Sequence, residues 1–190
     1  MARKHAEVEI KFRVADASAL ERKLRQAGFR LVTPATYERN TLYDTPARQL
    51  RRRGELLRLR QYGDRWTLTH KAKGAAGRHK TRVEQETAVA DGARMESILL
   101  ALGYRPAFVY EKRRAEWSDG CGEVVVDTTP IGTFAEIEGS PRWIDETARR
   151  LGVPRSEYIT VSYAELFNAW KRRTKSRAKN MTFRETGIRA

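Results

Sequence analysis

The sequence of 190 residues lacks features that several large classes of protein need. Its single cysteine, Cys121, excludes an intrachain disulfide and fits a reducing compartment. Its three histidines are scattered and show no zinc-site spacing. No apolar run approaches the length of a membrane span, and the first residues do not form a signal peptide. We therefore expect a cytoplasmic protein with one globular domain.

The sequence also lacks the motifs of several familiar enzyme classes. It contains no P-loop, no kinase-like glycine-rich loop and no Ser-His-Asp pattern. Acidic residues are in deficit, because 24 Asp and Glu stand against 38 Lys and Arg, for a net charge of +14. Such a basic chain indicates an anionic partner, which is a nucleic acid, a membrane surface or a phosphorylated small molecule.

Half of the positive excess lies at the C-terminus. Residues 171–190 contain eight Lys and Arg against one acid, Glu185. Basic clusters with little apolar content are poor material for a core. We predict a domain over residues 1–170 and a basic tail over residues 171–190. The tail is expected to be dispensable for catalysis and to add weak, salt-sensitive contact to nucleic acid or anionic lipid.

Charged and apolar residues alternate strictly over residues 7–12. A strand sends alternate side chains to opposite faces, so this pattern predicts one charged face and one apolar face. The alternation recurs over residues 58–60, 71–73, 82–86, 112–114 and 136–138. Solvated faces rarely concentrate both signs of charge on so many strands. The pattern therefore indicates a closed or nearly closed sheet, with charges inside and an apolar outside covered by helices.

Local signals place the helices that cover the apolar faces. Ser18 with Glu21, and Ser162 with Glu165, have the spacing of a capping box. Ser140 and Pro141 suit the N-cap and the first position of another helix, which runs to Gly152. About eight strands and a few short helices are expected in total.

A set of short motifs occurs in a characteristic order. They are Glu-x-Glu-x-Lys at 7–11, Leu-Arg-Leu-Arg at 57–60, Leu-Thr-His-Lys at 68–71, Glu-Lys-Arg-Arg at 111–114, Val-Val-Asp at 125–127, Ile-Gly-Thr-Phe-Ala-Glu-Ile-Glu at 131–138 and Ser-Tyr-Ala-Glu-Leu at 162–166. Over about residues 5–170 this set resembles the CYTH domains, also called triphosphate tunnel metalloenzymes. The resemblance implies an α+β fold: a closed antiparallel β-tunnel of about eight strands, with a charged lumen and helices packed outside.

The cations on the predicted inner faces suit a polyanion, since arginine grips phosphate through two N–H groups. The candidates for binding a triphosphate are Lys11, Arg58, Arg60, Lys71, Lys112 and Arg114. Lys11 corresponds to the lysine of the family motif, which touches the substrate or positions the attacking group. Lys11 and Glu9 are therefore the catalytic candidates. Lys71 is preferred over Lys73 because Leu-Thr-x-Lys is the form found in the family.

Carboxylates at alternate positions on several strands suit a hard divalent cation, since Mg²⁺ and Mn²⁺ prefer oxygen ligands. The metal-ligand candidates are Glu7, Glu9, Glu86, Asp127, Glu136 and Glu138. Glu84, Lys73 and Arg82 lie on the same faces as secondary candidates for the site. Glu84 and Glu86 have a second interpretation, which is that they orient arginines. Mg²⁺ or Mn²⁺ is the expected cofactor.

The leading functional hypothesis is metal-dependent hydrolysis of a triphosphate, with inorganic triphosphate as the substrate. One alternative is a class IV adenylyl cyclase that forms cyclic AMP and pyrophosphate from ATP; another is a thiamine triphosphatase. A non-enzymatic module that binds polyphosphate or RNA is a further alternative, although it has no need of paired carboxylates. Both a monomer and a homodimer are compatible with the sequence.

Overall fold

The structure of the chain, a computed structural model, describes residues 5–74 and 80–188. The side chains of residues 5–7, 80 and 81 lie outside this description, and with them the predicted metal ligand Glu7. No helix of the described ranges is long and apolar enough to cross a bilayer.

The described residues form eight strands and six α-helices. The strands are β1 (His5–Val14), β2 (Arg30–Asp44), β3 (Leu56–Tyr62), β4 (Arg65–Lys71), β5 (Lys80–Val89), β6 (Arg105–Ser118), β7 (Glu123–Thr129) and β8 (Gly132–Glu138). The helices are α1 (Ala17–Gln26), α2 (Gln49–Arg53), α3 (Gly92–Ala101), α4 (Pro141–Leu151), α5 (Tyr163–Thr174) and α6 (Phe183–Thr186), with a 3₁₀ turn at Arg155–Glu157.

All strand pairings between these elements are antiparallel. The strands follow the order β1-β5-β4-β3-β2-β6-β7-β8, and β8 pairs again with β1 as a barrel. Glu9 of β1 lies opposite Glu138 of β8, and Lys11 lies opposite Glu136. The predicted α+β fold with about eight antiparallel strands is confirmed.

The apolar faces of the strands point outward, where helices cover them. Ile10, Val124 and Ile137 are fully buried in a cluster with Leu24 of α1 and Ile144 of α4. A separate cluster packs Leu99 of α3 against Tyr43 of β2 and Leu59 of β3. This arrangement follows from the two-residue period of a strand, which leaves the opposite faces to the charged residues.

The helix starts agree with the local signals, with one exception. Ser162 and Glu165 form the predicted capping box of α5, and Ser140 caps α4 ahead of Pro141. The prediction of Ser18 as the cap of α1 is wrong. Asp16 takes that place, because its carboxylate accepts the N–H of Ala19 at 3.0 Å.

Part of the barrel interior is apolar, in contrast to the charged lumen that was expected throughout. Tyr110 and Phe134 lie two residues before Lys112 and Glu136, so they share the inward faces of β6 and β8. They pack with Tyr163 and Phe167 of α5 and with Met181 in one buried cluster. Helix α5 therefore packs on the inward faces of the strands, whereas α1 and α4 pack outside.

The predicted boundary between a domain at 1–170 and a tail at 171–190 falls inside α5. The expectation that this tail contributes little core is also wrong, because Met181 is fully buried and Phe183 is 7% exposed. Met181 exchanges backbone hydrogen bonds with Val109 and Glu111 of β6, at 2.9 and 3.0 Å. These bonds use the part of β6 that precedes Arg113, the residue at which the pairing of β6 with β7 begins. A sheet edge with unpaired N–H and C=O groups favours such an addition.

Replacement of Met181 by alanine is expected to destabilise the fold by about 2–4 kcal/mol, the usual cost of truncating a fully buried side chain. Ile188 is 50% exposed, and Ile188→Ala is expected to cost less than about 0.5 kcal/mol. Urea unfolding of both variants and of the unchanged chain measures the difference. Equal midpoints for the two variants would show that the C-terminal segment, residues 176–187, does not belong to the cooperative core.

Candidate active site

One cavity, of about 630 Å³, is lined by residues of the barrel, of α5 and of the C-terminal segment. The predicted triphosphate-binding residues converge on it from four strands: Lys11, Arg58, Arg60, Lys71, Lys112 and Arg114. The two carboxylates of the predicted set that join them on its wall are Glu9 and Glu136. Residues 11 and 112 are about a hundred positions apart in the chain, so barrel closure is what brings these groups together.

The cavity wall is strongly basic. Nine cations line it: Lys11, Arg51, Arg58, Arg60, Lys71, Arg82, Lys112, Arg114 and Lys179. Five carboxylates join them: Glu9, Asp44, Glu55, Glu136 and Glu165. Carboxylates behind the lining pair with five of these cations: Glu38, Glu84, Glu86 and Asp127. The positive excess therefore belongs to the side chains that face the cavity, and such a lining favours an anionic ligand.

Asp127 organises the cations of β6. It is fully buried and accepts hydrogen bonds from Lys112 Nζ at 3.0 Å, from Arg114 Nε and Nη2 at 2.7 Å each, and from the hydroxyl of Tyr163 at 2.7 Å. Both oxygens are engaged by donors, so in this structure Asp127 positions Lys112 and Arg114. Its role as a metal ligand stays a prediction.

Lys11 forms a buried ion pair with Glu136, at 2.6 Å between Nζ and Oε1. Glu136 also accepts a hydrogen bond from Arg114. Burial alone would lower the pKa of Lys11, but Glu136 and Glu9 outweigh burial and raise it. Burial would raise the pKa of Glu136, but Lys11 and Arg114 hold it well below its usual range. Lys11 therefore carries its positive charge at neutral pH.

Tyr163 links the two buried lysines of the wall. Its ring centroid lies 4.6 Å from Lys11 Nζ and 5.3 Å from Lys112 Nζ. Burial and the neighbouring Asp127 raise the pKa of its hydroxyl well above the usual value, so the group stays a neutral donor. A ring face between two ammonium groups stabilises both without neutralising either.

Glu38 and Asn40 of β2 belong to the buried network behind the cavity, and the charge alternation of the sequence did not single out Glu38. Both are fully buried, and Asn40 donates to Glu38 at 2.8 Å. Lys112 Nζ lies 3.3 Å from Glu38 and Arg114 Nε lies 3.9 Å from it. Leu42 lies between Asn40 and Asp44 on the same face and interrupts the polar pattern of β2, so this pattern did not predict an inward-facing Glu38. Alternation of Glu38, Asn40 and Asp44 on one face is what could have revealed it.

On the opposite wall, Glu86 orients the arginines of β3. It accepts from Arg60 Nη2 at 3.2 Å and lies 3.6 Å from Arg58 Nη2. The hydroxyl of Thr69 donates to Glu86 at 2.6 Å, while Arg58 donates to that same hydroxyl at 3.3 Å. These contacts favour the orienting role over metal binding for Glu86. Arginine orientation is the second interpretation that the sequence offered for Glu86, and its metal role stays a prediction.

The remaining predicted residues divide between the cavity and its support. Lys71 lines the cavity and pairs with Glu84 across β4 and β5. Arg82 donates to the carbonyls of Gly54, at 2.8 Å, and of Ala72, so it holds backbone segments together. Lys73 is exposed beyond the end of β4 and is absent from the described lining of the cavity.

The predicted metal ligands are brought together only in part. Glu9 and Glu138 form a register pair across β1 and β8, and Glu136 lies two residues from Glu138 on the same face. Within residues 5–74 and 80–188, no three acidic, histidine or cysteine side chains are grouped as a metal site. Mg²⁺ usually binds proteins through one or two carboxylates, with phosphate oxygens and waters completing its octahedron. The Glu9 and Glu138 pair fits that chemistry.

Comparisons with known proteins agree with the fold and the motifs. The sequence model of the CYTH domain family matches residues 5–163 of this chain. A Methanocaldococcus jannaschii protein named "Putative adenylate cyclase" is 26% identical over 171 residues, which cover 84% of this chain and 97% of that protein. The adenylate cyclase CyaB of Aeromonas hydrophila is also 26% identical, over 84% of this chain and 87% of that one.

Among solved structures, one described as a "putative adenylate cyclase" of Vibrio parahaemolyticus aligns with a TM-score of 0.78. The match covers 87% of this chain and 99% of that chain at 22% identity, so it speaks for the fold alone. The family match spans most of this chain, and the chain therefore belongs to the CYTH family.

The pairing of Glu38 predicts a specific loss of stability in acid. Burial would raise its pKa, but Lys112, Arg114 and Arg58 hold that pKa at about 2, against an ordinary value of 4.5. Because the folded-state pKa is depressed, this stabilisation is complete above about pH 4.5 and is lost as the pH falls towards 2. Glu38→Gln is expected to remove about 3 kcal/mol at pH 7 and to flatten the pH dependence below 4.5.

Urea unfolding at pH 7, 4.5, 3.5 and 2.5 measures this effect. Glu146 is exposed on α4, and Glu146→Gln serves as the matched control that keeps the slope of the unchanged chain. Identical slopes for the two variants would contradict the assignment of Glu38 to the network.

Proposed function

We propose that this chain hydrolyses a triphosphate inside the barrel, with inorganic triphosphate as the leading substrate. The observation that carries the proposal is the convergence of six predicted cations, from four strands, on one cavity. A triphosphate is a compact polyanion, and several cations around one cavity can contact its oxygens together. The family contains triphosphatases and adenylyl cyclases, both of which act on a triphosphate group.

The lumen of the barrel would then act as a tunnel that binds the phosphate groups from two opposite walls. Arg58 and Arg60 on β3 bind phosphate oxygens from one side, and Lys112 and Arg114 on β6 bind from the other. Because Glu86 and Asp127 already hold these side chains, little reorganisation is needed when charge develops on the phosphoryl group. Positioning and charge stabilisation are the main requirements of phosphoryl transfer.

Lys11 contributes charge rather than base chemistry. Its raised pKa keeps it protonated, so its ammonium stabilises the oxygens of the phosphoryl group while water attacks phosphorus. The bond from water oxygen to phosphorus forms as the anhydride bond breaks, which releases orthophosphate and pyrophosphate. Glu9 lines the cavity beside Lys11 and is the carboxylate proposed to orient the attacking water.

A divalent cation is part of the proposal. Glu9 and Glu138 would hold it, with Glu136 as a further candidate on the same face. The predicted ligand Glu7 has a side chain outside the described residues. When bound, Mg²⁺ or Mn²⁺ supplies Lewis-acid polarisation of phosphate oxygens. The residues that position those oxygens are the cations of β3 and β6.

A specific observation favours adenylyl cyclase as the second candidate. Part of the cavity wall is uncharged, formed by Leu42, Phe108, Phe167 and Asn168. Such a wall suits the organic part of a nucleotide better than it suits a bare polyphosphate. The curated relatives named as adenylate cyclases point the same way. Hydrolysis remains the leading candidate because most polar side chains of the described lining are charged, and these bind phosphate rather than recognise a base.

The two candidates give different products. We expect orthophosphate from inorganic triphosphate with Mg²⁺ or Mn²⁺, no turnover in excess EDTA, and little cyclic AMP from ATP. The test incubates the purified chain with inorganic triphosphate, ATP or thiamine triphosphate and resolves the products by chromatography. Cyclic AMP and pyrophosphate as the main products, with inorganic triphosphate untouched, would establish the second candidate in place of the first.

Two lysines near the end of β4 offer a matched test of the cavity. Lys71 lines it, whereas Lys73 is exposed and absent from its described lining. Removing one charged hydrogen bond to phosphate costs about 1.5–3 kcal/mol, so Lys71→Gln is expected to lower kcat/KM roughly 10-fold to 100-fold. Lys73→Gln is expected to stay within about twofold. Equal losses in both variants would mean that general charge, rather than the cavity, determines the rate.

A further inference from the structure

The C-terminal segment, residues 176–187, lies outside the family match, which ends at residue 163. It is nevertheless firmly attached to the barrel. Asn180 Oδ1 accepts the N–H of Val109 at 2.9 Å, and Met181 pairs with β6 on both of its backbone groups. Glu111 Oε2 accepts the N–H of Phe183 at 3.0 Å. The segment is therefore placed relative to β6, the strand that also carries Lys112 and Arg114.

Glu185 fixes the conformation of the segment next to Lys179. Its Oε2 accepts the backbone N–H of Lys179 at 2.7 Å and that of Asn180 at 2.9 Å, while Oε1 accepts from Asn180 Nδ2 at 2.7 Å. Hydrogen bonds from Asn180, first of all its backbone N–H, hold the pKa of Glu185 below its usual range. The carboxylate is thus ionised, and the turn that carries Lys179 is ordered at neutral pH.

Lys179 lines the cavity together with Lys71, Arg58 and Arg114. It is solvent-exposed, and its ammonium group has no ion pair within 4.0 Å to any carboxylate among the described residues. Lys11, Lys71 and Lys112, by contrast, are each paired with a carboxylate. Lys179 is accordingly a lysine of the wall whose ammonium can turn to a ligand without breaking an ion pair.

We propose that Lys179, supplied by the C-terminal segment, is a substrate-binding residue that contacts an outer phosphate of the polyphosphate in the cavity. This inference rests on the proposed function, since it assigns a further residue to the same site. It replaces the expectation that residues 171–190 are dispensable for catalysis. The contribution is to binding rather than to the chemical step, because Lys179 is exposed whereas Lys11 and Glu136 are buried.

The test compares Lys179→Gln with Arg177→Gln in the full-length chain. Arg177 is exposed in the same segment and is absent from the described cavity lining. Arg177→Gln therefore removes the same charge as Lys179→Gln, but from a position outside the cavity. With inorganic triphosphate, Lys179→Gln is expected to raise KM about threefold to tenfold and leave kcat within about twofold. Arg177→Gln is expected to change KM by less than about twofold. Unchanged urea midpoints show that both variants are folded.

Binding of inorganic triphosphate, measured by titration calorimetry, separates this inference from the proposed function. If the unchanged chain binds triphosphate but does not hydrolyse it, the proposed function fails. In that case a threefold to tenfold weaker dissociation constant for Lys179→Gln still supports the role of Lys179. Equal KM and equal dissociation constants for Lys179→Gln and the unchanged chain overturn the inference while leaving the function intact. Absence of both binding and turnover overturns both.

Discussion

Charges buried inside the barrel must be compensated, and the rest of the site depends on this constraint. Removing an ion from water costs several kcal/mol unless a partner and further hydrogen bonds replace the lost hydration. Asp127 meets the requirement with Lys112, Arg114 and Tyr163 as donors. Glu136 meets it with Lys11 and Arg114. The same contacts that make burial tolerable also hold the cations in place before any ligand binds.

This compensation separates two kinds of carboxylate that look alike in the sequence. Asp127 and Glu86 are occupied in positioning arginine and lysine side chains. Glu9 and Glu138 face each other across β1 and β8, where a hard cation suits their oxygens. Carboxylates with the same alternation in the sequence thus differ in the structure, because strand register decides which side chains lie opposite them.

Helix α5 and the segment after it give the barrel a second kind of wall. Tyr163 and Phe167 pack against the inward-facing Tyr110 and Phe134, and Met181 completes the cluster. Ile159, before α5, forms an isolated β-bridge with Lys11 of β1, and Met181, after α5, forms one with Tyr110 of β6. Backbone pairing therefore attaches the chain to the barrel on both sides of α5. The apolar cluster excludes water beside the ion pairs, which strengthens the electrostatic interactions there.

Much of the fold and of the candidate site followed from the sequence, since alternation along a strand is a local property. The two-residue period assigned Lys11, Arg58 and Lys112 to inner faces, and the ordered motifs indicated the family. The partners of these residues depend on the register between strands that are distant in the chain. Alternation alone therefore did not distinguish Asp127 from Glu9, and it did not reveal Glu38.

The C-terminal segment is a second case in which the sequence did not predict the tertiary contacts. Its composition is that of a solvated basic tail, with eight Lys and Arg against one acid in residues 171–190. Burial of Met181 and the hydrogen bonds of Asn180 and Glu185 instead attach it to β6. The sequence by itself determined the strand faces and the charge of the interior, because both are set by neighbouring residues. Only the tertiary structure decided which charges are paired and where the tail lies, because those contacts join residues far apart in the chain.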